Sequence, residues 1–392
     1  MRKVYLDHNA TTPVHPEVAA AVQPFLGELF GNPSSIHWAG REVRKAVEDA
    51  RAQVAAFYGC RPLEVVFTSS GTEADNLALK GVAYLPGNAG KHIITSQVEH
   101  PAIRNACRFL ESQGFRVTYV PVDRQGIVDP DSVRDAMTKD TVLVSIMAAN
   151  NETGCIMPVE EIGAIARERG VLMHTDAVQA TGKVPISWEK LPVDLLTFSG
   201  HKVNALKGAG GLLVRKGIEL APVIHGGHQE RGRRGGTENV VGIVAMGKAF
   251  SLLSENMEAE VAQVRRLRDA FERALFERIP EIVRNGHPVR RLPNTVNLSF
   301  RFVEGEALLL NLDMMGVACS SGSACTSGSL EASPILLAMG ADPTDSQGAL
   351  RFSFGRGNTE EDVAYAVDCI ETVVGKLRAV SPLYHPQQVK AR

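Results

Sequence analysis

The sequence lacks a long apolar run and a strong charge of either sign. No stretch of 18 consecutive apolar residues occurs in its 392 residues, so we predict no transmembrane helix. The formal net charge is -2, which gives no electrostatic reason to expect nucleic acid or an anionic membrane as a partner. The N-terminal stretch MRKVYLDHNATT turns polar at Asp7 and has no apolar core of the kind that signal peptides carry. We therefore predict a cytoplasmic protein.

The sequence also lacks closely paired cysteines. Its six cysteines form no C-x-x-C motif, which argues against a zinc ribbon and a thioredoxin-like redox site. In a reducing cytosol a cysteine is usually a small buried hydrophobe, and four of the six fit that role. These are Cys60, Cys107, Cys155 and Cys369. Of the two in CSSGSACTSGS, residues 319–329, Cys319 follows an apolar run and is predicted to end a strand, whereas Cys325 has only small and polar neighbours.

Short apolar, β-branched runs alternate with amphipathic segments between residues 64 and 215. The runs are EVVFTSS (64–70), HIITSQ (92–97), RVTYV (116–120), TVLVSIM (141–147), VLMHTD (171–176), DLLTFS (194–199) and GLLVRK (211–216). The helix-like segments between them are 72–84, 101–113, 130–138 and 158–169. This alternation predicts an α/β fold with a mostly parallel sheet that helices cover on both faces.

A second, smaller α+β domain is predicted after a long helical stretch near residues 238–278. Its elements are the strand TVNLSF (295–300), helices near 304–315 and 331–339, the strand ALRFSF (349–354) and a closing helix near 359–378. The chain is long enough for two domains. We predict a large domain of residues 15–257 and a small domain formed by residues 1–14 and 258–392, which carries the cysteine loop at about 319–330.

Polar side chains follow the predicted strands at the points where they end, and parallel sheets bind ligands at the carboxyl ends of their strands. After EVVFTSS comes GTEADN, where Gly71 and Thr72 open a helix whose free N–H groups suit a phosphate. Thr72 as a simple helix N-cap is the alternative. HIITSQ is followed by Glu99 and His100, and a lone histidine at a helix start is often structural.

Three further strand ends carry amide, acidic and basic groups. These side chains are Asn151, Asp176, Gln179, Ser199, His201 and Lys202. An acid at the end of an apolar strand is costly to bury unless it meets a cation, which applies to Asp176. A lysine at the mouth of a buried sheet, such as Lys202, can lose its proton and act as an amine nucleophile. With the phosphate cradle and a flat histidine, this set is what pyridoxal phosphate needs.

Ten motifs in sequence order resemble the cysteine desulfurases of the NifS/IscS type, which are class V aminotransferase-like, fold-type-I enzymes. They are YLDHNATTP, FGNPSSIH, FTSSGTEADN, VEHPA, ANNETG, HTDAVQATGK, SGHKVNALKG, RRGGTEN, SSGSACTSGSLE and LRFSFGR. The resemblance covers roughly residues 3–380. It implies a fold-type-I, pyridoxal-phosphate-dependent transferase.

The resemblance also implies roles for the cofactor site. Lys202 would be the Schiff-base lysine, Asp176 would pair with the pyridinium nitrogen, and Gln179 would hydrogen-bond the ring oxygen. His100 would stack on the ring and help to move protons. The phosphate would be held by Gly71, Thr72, Ser199 and His201, and by Thr237 of a neighbouring subunit, which implies a homodimer.

For the substrate, the resemblance implies that Asn151 and Arg351 hold the carboxylate of L-cysteine. The residue type agrees for Arg351, because its planar fork binds a carboxylate with two parallel hydrogen bonds. A surface salt bridge is the alternative. Cys325 would take the sulfur as a persulfide, leaving L-alanine, and pass it to an acceptor such as an iron–sulfur scaffold or a thiolation enzyme. The Ser, Gly and Thr residues around Cys325 predict a flexible loop that permits this transfer.

Other interpretations remain open at this point. A selenocysteine lyase or an ordinary aminotransferase on the same fold would not need the thiol of Cys325, and a degenerate scaffolding subunit would not need Lys202. HGGH (225–228) fits a dimer-contact loop better than a metal site, because no further ligands accompany it. RGRR (231–234) fits a solvated face or a dimer loop better than a nucleic-acid site. We therefore predict no metal.

Overall fold

The computed structural model describes residues 2–321 and 332–384. The helices are α1 (Pro16–Val22), α2 (Trp38–Tyr58), α3 (Gly71–Ala83), α4 (Pro101–Ser112), α5 (Pro130–Ala136), α6 (Val159–Glu168), α7 (Val240–Arg278), α8 (Gly305–Met314), α9 (Pro334–Ala338), α10 (Pro343–Gln347) and α11 (Glu360–Val380). The strands are β1 (Val4–Tyr5), β2 (Val65–Thr68), β3 (His92–Ser96), β4 (Arg116–Val120), β5 (Thr141–Ser145), β6 (Leu172–Asp176), β7 (Leu195–Ser199), β8 (Gly210–Val214), β9 (Ile282–Arg284), β10 (Thr295–Phe300), β11 (Val317–Ala318), β12 (Ser320–Ser321) and β13 (Ala349–Ser353).

A seven-stranded sheet dominates the first half of the chain, in the order β2-β8-β7-β6-β5-β3-β4. β8 runs antiparallel to both of its neighbours, and the other pairs are parallel. This confirms the predicted mostly parallel α/β sheet. The seven predicted apolar runs become β2 to β8, and all but β4 are nearly continuous buried stretches because helices cover both faces.

Helices pack on the two faces of this sheet in separate apolar clusters. One cluster joins α3 and α4 to one face through residues such as Leu77, Ile103 and Leu110. The other joins α2 and α7 to the opposite face. The 21-residue helix α2 is missing from the predicted elements, although its buried Val43, Val47 and Val54 recur at helical spacing.

The later part of the chain forms a second sheet in the antiparallel order β12-β13-β10-β9. Its core contains Phe271, Phe300 and Phe352. The N-terminal residues Val4 and Leu6 belong to this same core, and β1 pairs with β11. Two cores on two sheets support the predicted division at residues 15–257, which we keep as a proposal.

Helix α7 belongs to both cores. Its first half buries Met246 and Phe250 against α2, and its second half buries Leu267 and Phe271 in the smaller core. By length and composition alone α7 is a candidate membrane span, a property it shares with core helices of soluble proteins. Its apolar side chains are used in packing between the two sheets.

A buried ion pair fastens the segment before α7 to the large sheet. Arg51 on α2 donates to both carboxylate oxygens of Glu230 at 2.8 Å, and both side chains are at most 4% exposed. The Glu230 carboxylate also accepts from the backbone N–H of Phe67 on β2 at 2.9 Å. Because the charges are desolvated together, removing one partner leaves the other as an unpaired buried charge.

Replacing Arg51 with Met is expected to lower the free energy of unfolding by about 3–5 kcal/mol, since Glu230 would then lose its cation. Lys45→Met on the same helix is the matched control. Its pair with Asp49 has side chains 77% and 60% exposed, and such pairs contribute about 0–1 kcal/mol. Chemical denaturation of both variants measures the difference, and equal losses at the two positions would contradict this account of the buried pair.

Candidate active site

Asp176 and Lys202 come from neighbouring parallel strands that end at the same edge of the large sheet. Asp176 is the last residue of β6, and β7 ends at Ser199, one residue before a short 3-10 helix, Gly200–Lys202. His100 caps α4 at the end of the loop that follows β3. The charges of His100 and Lys202 both act on Asp176, so the structure brings these three predicted residues together.

Asp176 is a buried acid at the end of strand β6. It is 6% exposed, and its Oδ1 accepts from the backbone N–H of Val178 at 2.9 Å. Burial raises its pKa, while the nearby charges of His100 and Lys202 act in the opposite direction. The site therefore favours a cation beside this carboxylate.

His100 is also a structural residue, as the alternative interpretation held. Its Nδ1 accepts a hydrogen bond from the backbone N–H of Ala102 at 3.2 Å and caps α4. Because Nδ1 accepts, the proton of the neutral ring lies on Nε2. Burial lowers the pKa of His100, so the ring is neutral at neutral pH.

The N-terminus of α3 packs closely against the ends of β6 and β7. A Cβ added at Gly71 would lie 2.9 Å from Val178 Cγ2 and 3.5 Å from Ser199 Cβ, so only glycine permits this approach. Ser70 is the N-cap, because its hydroxyl accepts from Glu73 N–H at 3.1 Å. The alternative of Thr72 as the N-cap is therefore wrong, and its side chain is exposed.

His201 lies in the short 3-10 helix after β7 and contacts the N-terminal segment of the chain. Its Nδ1 is 3.2 Å from the hydroxyl of Thr11. Burial, followed by the charges of Lys202 and Lys207, lowers the pKa of His201 to about 4. A neutral His201 can donate or accept a hydrogen bond without adding charge.

Arg351 lies in the middle of β13 and is 5% exposed. Its Nη1 donates to the backbone oxygen of Asn151 at 3.0 Å, and its Nη2 donates to Asp7 Oδ1 at 2.7 Å. The buried Arg351 Nε and Asn151 Oδ1 have no hydrogen-bond partner among the described residues. Arg351 thus forms an ion pair in the interior rather than the surface salt bridge weighed as the alternative.

Residues 7–12, which we call the N-terminal bridge, cross the site. Each of them hydrogen-bonds to a residue of the site or of the strands and loops that carry it. These partners are Gln179, Lys202, His201, Arg351 and Ser353. The motif YLDHNATTP contains this segment, but the sequence predicted no role for it. A short polar run has no periodicity that predicts its contacts.

Asn9 is the centre of the N-terminal bridge. Its backbone oxygen accepts from Lys202 Nζ and, at 3.0 Å, from Gln179 Nε2. Its side-chain Nδ2 donates to the backbone oxygen of Asn151 at 3.2 Å and to Thr295 Oγ1 on β10 at 2.9 Å. Asn9 therefore joins three parts of the protein: the lysine end of the site, which contains Lys202; the arginine end, which contains Asn151 and Arg351; and the smaller sheet, through Thr295.

A second lysine lies near Lys202. Lys183 Nζ donates to the backbone oxygen of Gln179 at 3.0 Å. Burial, together with the charge of Lys202, lowers the pKa of Lys183 to about 7. Lys183 was not singled out from the sequence, because it follows a turn after Asp176 rather than a strand end.

Two further acids are buried near Asp176. Asp75 on α3 and Glu99 are each 1% exposed, and Asp75 Oδ1 and Glu99 Oε2 have no hydrogen-bond partner among the described residues. Burial, and then the charge of Asp176, raises the pKa of Asp75. Burial raises the pKa of Glu99 to about 8. Glu99 is therefore protonated at neutral pH, and burial disfavours the charged form of Asp75 as well.

The structure does not place two of the predicted residues, Cys325 and Thr237, in this site. Cys325 lies outside the described residues. Thr237 is exposed in the loop that Arg234 fastens to Glu73 on α3 by a 2.8 Å ion pair, and its phosphate role stays a prediction. Within residues 2–321 and 332–384, no group of three or more His, Cys, Asp or Glu side chains is arranged to hold a metal ion.

The chain is similar to known proteins over nearly its whole length. The family model described as aminotransferase class-V matches residues 4–365. Cysteine desulfurase IscS of Dictyoglomus turgidum is 50% identical over 381 residues, which is 97% of each chain. Among solved structures, a NifS-like protein has a TM-score of 0.90 at 39% identity and covers 96% of this chain and 100% of its own. SspA in complex with cysteine has a TM-score of 0.81 at 34% identity, over 90% of this chain and 99% of its own.

Glu99→Gln is expected to reduce the loss of stability as pH rises. The folded pKa of about 8 exceeds the unfolded value of about 4.3. The proton on Glu99 therefore stabilises the fold fully at low pH, and this contribution is lost as pH rises through about 8. We expect the group to lower the free energy of unfolding by on the order of 2–4 kcal/mol between about pH 5 and pH 8.

Gln at this position keeps the oxygen that accepts from Ser96 Oγ and Met147 N–H in Glu99, but it cannot ionise. Denaturant unfolding at several pH values compares the two proteins, with Glu168→Gln at an exposed position of α6 as the control. An identical pH dependence in the native protein and Glu99→Gln would show that Glu99 is ionised throughout this range.

Proposed function

We propose that the reaction of this chain takes place at the carboxyl edge of its large sheet. The chain belongs to the aminotransferase class-V family and is a pyridoxal-phosphate-dependent cysteine desulfurase. The observation that carries the assignment is the convergence of Asp176, His100 and Lys202 at that edge. Asn9 links this group to the arginine end of the site through Lys202 and Asn151. L-cysteine is the substrate, and the residue roles below are proposals.

The residues at this edge fit pyridoxal phosphate. The buried oxygens of Asn151 and Gln179 lack hydrogen-bond partners among the described residues, so polar groups are available for a ligand. The close approach at Gly71 presents the free N–H groups of the α3 terminus to a phosphate, beside Ser199. Asp176 supplies the anion for the pyridine nitrogen, and Lys202 supplies the amine that attaches the aldehyde.

When bound, pyridoxal phosphate would supply an electron sink for the substrate Cα, which is the chemistry that allows the bond between Cβ and sulfur to be broken. The other tasks fall to the chain. Lys202 moves the proton at Cα, and the backbone oxygens of Asn9 and Ala10, which accept from its Nζ, keep the amine at this edge. His100, neutral and with its proton on Nε2, would donate a hydrogen bond to groups beside the substrate and help to move protons there.

Arg351 and Asn151 bind the substrate carboxylate in this proposal. The buried guanidinium keeps Nε–H unsatisfied within the described protein, and a buried donor without a partner favours a ligand that accepts from it. Asn151 would contribute the N–H of its amide Nδ2, because its unpartnered Oδ1 is an acceptor that suits a donor such as the substrate amino group. A carboxylate fits this set better than an apolar or cationic group.

Cys325 takes the sulfur as a persulfide in this proposal. The residues on either side of its segment lie beside the substrate residues: Ser320 on β12 pairs with Arg351, and Ser333 donates to Glu152, the neighbour of Asn151, at 2.6 Å. The described residues that flank the Cys325 segment therefore lie beside the proposed substrate residues. Cys319 is the contrasting case, because burial raises its pKa and suits a structural thiol.

The partner and location remain part of the proposal. We propose an iron–sulfur scaffold or a thiolation enzyme as the persulfide acceptor, in the cytoplasm. We also propose a homodimer, with Thr237 reaching the neighbouring subunit's phosphate. An apolar segment supports the dimer, since Leu26, Phe30, Ile36 and Trp38 are 62–86% exposed, and exposed apolar patches mark protein contacts.

Cys325→Ser is expected to reduce L-alanine release from L-cysteine by on the order of a hundredfold or more, because a hydroxyl is a far poorer nucleophile than a thiol. Cofactor binding should remain, since Lys202 and Asp176 are unchanged. Cys319→Ser is the matched control and should affect stability only. Mass spectrometry after brief exposure to L-cysteine should find one added sulfur on the peptide with Cys325. Added sulfur on Cys319, or full activity of Cys325→Ser, would contradict the proposed transfer.

A further inference from the structure

We propose that Asp7 of the N-terminal bridge is a positioning residue for substrate binding: its ion pair holds the Arg351 guanidinium in the orientation that binds the carboxylate of L-cysteine. This rests on the proposed role of Arg351. Among residues 2–321 and 332–384, no hydrogen bond or ion pair joins Asp7 to a residue proposed to hold the cofactor, so its effect is expected in substrate affinity.

The contacts of Arg351 leave a defined set of donors. Nη2 donates to Asp7 Oδ1 at 2.7 Å, and Nη1 donates to the backbone oxygen of Asn151 at 3.0 Å. These two bonds, on different terminal nitrogens, fix both the position and the plane of the guanidinium. The third nitrogen, Nε, is buried without a partner among the described residues, and each terminal nitrogen carries a second hydrogen.

A fixed plane matters because carboxylate recognition by arginine is directional. Two parallel N–H···O bonds form only when the guanidinium and the carboxylate share a plane. If the backbone oxygen of Asn151 were the only anchor, it would hold the Arg351 guanidinium at one nitrogen, and the guanidinium could still rotate about that hydrogen bond. Asp7 is therefore the second anchor, and it is the ion-pair partner of a side chain that is 5% exposed.

Asp7 is itself held firmly. It forms a backbone bridge with Ser353, two residues from Arg351 on the same strand, and its backbone oxygen accepts from the hydroxyl of Tyr5 at 3.0 Å. The neighbouring His8 packs so closely on Gly355 that a Cβ there would lie 2.0 Å from the His8 ring. The carboxylate thus belongs to a segment whose distance from Arg351 is set by backbone contacts.

The test uses steady-state kinetics of the holoenzyme with L-cysteine and L-alanine as a product inhibitor. Asp7→Ala removes the charge-assisted bond and is expected to raise KM about tenfold and to weaken inhibition by L-alanine by the same factor. Asp7→Asn keeps an oxygen acceptor without the charge, so its KM should rise less, by about threefold. We expect kcat to stay within about twofold in both variants, which is the pattern for lost binding alone.

Two further variants separate the possible explanations. Arg2→Ala removes the ion pair between the Arg2 guanidinium and Asp362 and leaves Arg351 unchanged. It therefore loosens the N-terminal segment and should leave KM unchanged. Arg351→Lys keeps the charge but loses the fork, and it should raise KM.

A rise in KM with Arg351→Lys but not with either Asp7 variant would overturn the role of Asp7 and leave the proposed function standing. An unchanged KM with Arg351→Lys would overturn the carboxylate site itself. A loss of kcat in the near-isosteric Asp7→Asn, or an equal rise in KM with Arg2→Ala, would mean that Asp7 acts through the general fold, which contradicts the proposal.

Discussion

The burial of Asp176 at the end of an apolar strand is the constraint on which the site depends. A carboxylate at the interior edge of a sheet is unfavourable unless cations lie beside it. Here Lys202, from the next parallel strand, is that cation, and the neutral ring of His100, from the loop after β3, lies near the same carboxylate. Burial raises the pKa values of Asp176 and of the neighbouring Asp75 and Glu99, so Asp176 needs a cation beside it to stay charged. A cofactor with a basic ring nitrogen fits this arrangement because it brings its own cation.

The second requirement is that two independently packed parts of the chain meet at one place. The lysine end of the site belongs to the large sheet, whereas Arg351 belongs to β13 of the smaller one. The N-terminal bridge joins them, because Asn9 contacts Lys202, Asn151 and Thr295. The same six residues at the start of the chain thus hydrogen-bond to both Lys202 and Arg351, the residues to which we assign the chemistry and the substrate carboxylate.

Much of the fold was predictable, since strands buried on both faces are continuous apolar runs and their ends carried polar residues such as Asp176 and Lys202. The positions of β4 and β10 match the prediction residue for residue. Helix α2 was missed although its pattern was readable. The roles of Asp7, Asn9 and Lys183 were not predictable, because their partners are hundreds of residues away or are backbone atoms, which no local pattern records. The small, polar neighbours of Cys325 set it apart in the sequence, but its role came from the resemblance, and it lies outside the described residues.

The identity of the lysine that holds the cofactor is the most direct test, because two amines lie close together at this edge. Lys183 has a pKa lowered to about 7, so it is a real competitor for Lys202 as a nucleophilic amine. Borohydride reduction of the purified holoenzyme, followed by peptide mapping, fixes the cofactor to the lysine that carries it. We predict the label on Lys202. A label on Lys183 or on Lys207 would contradict the assignment of the site.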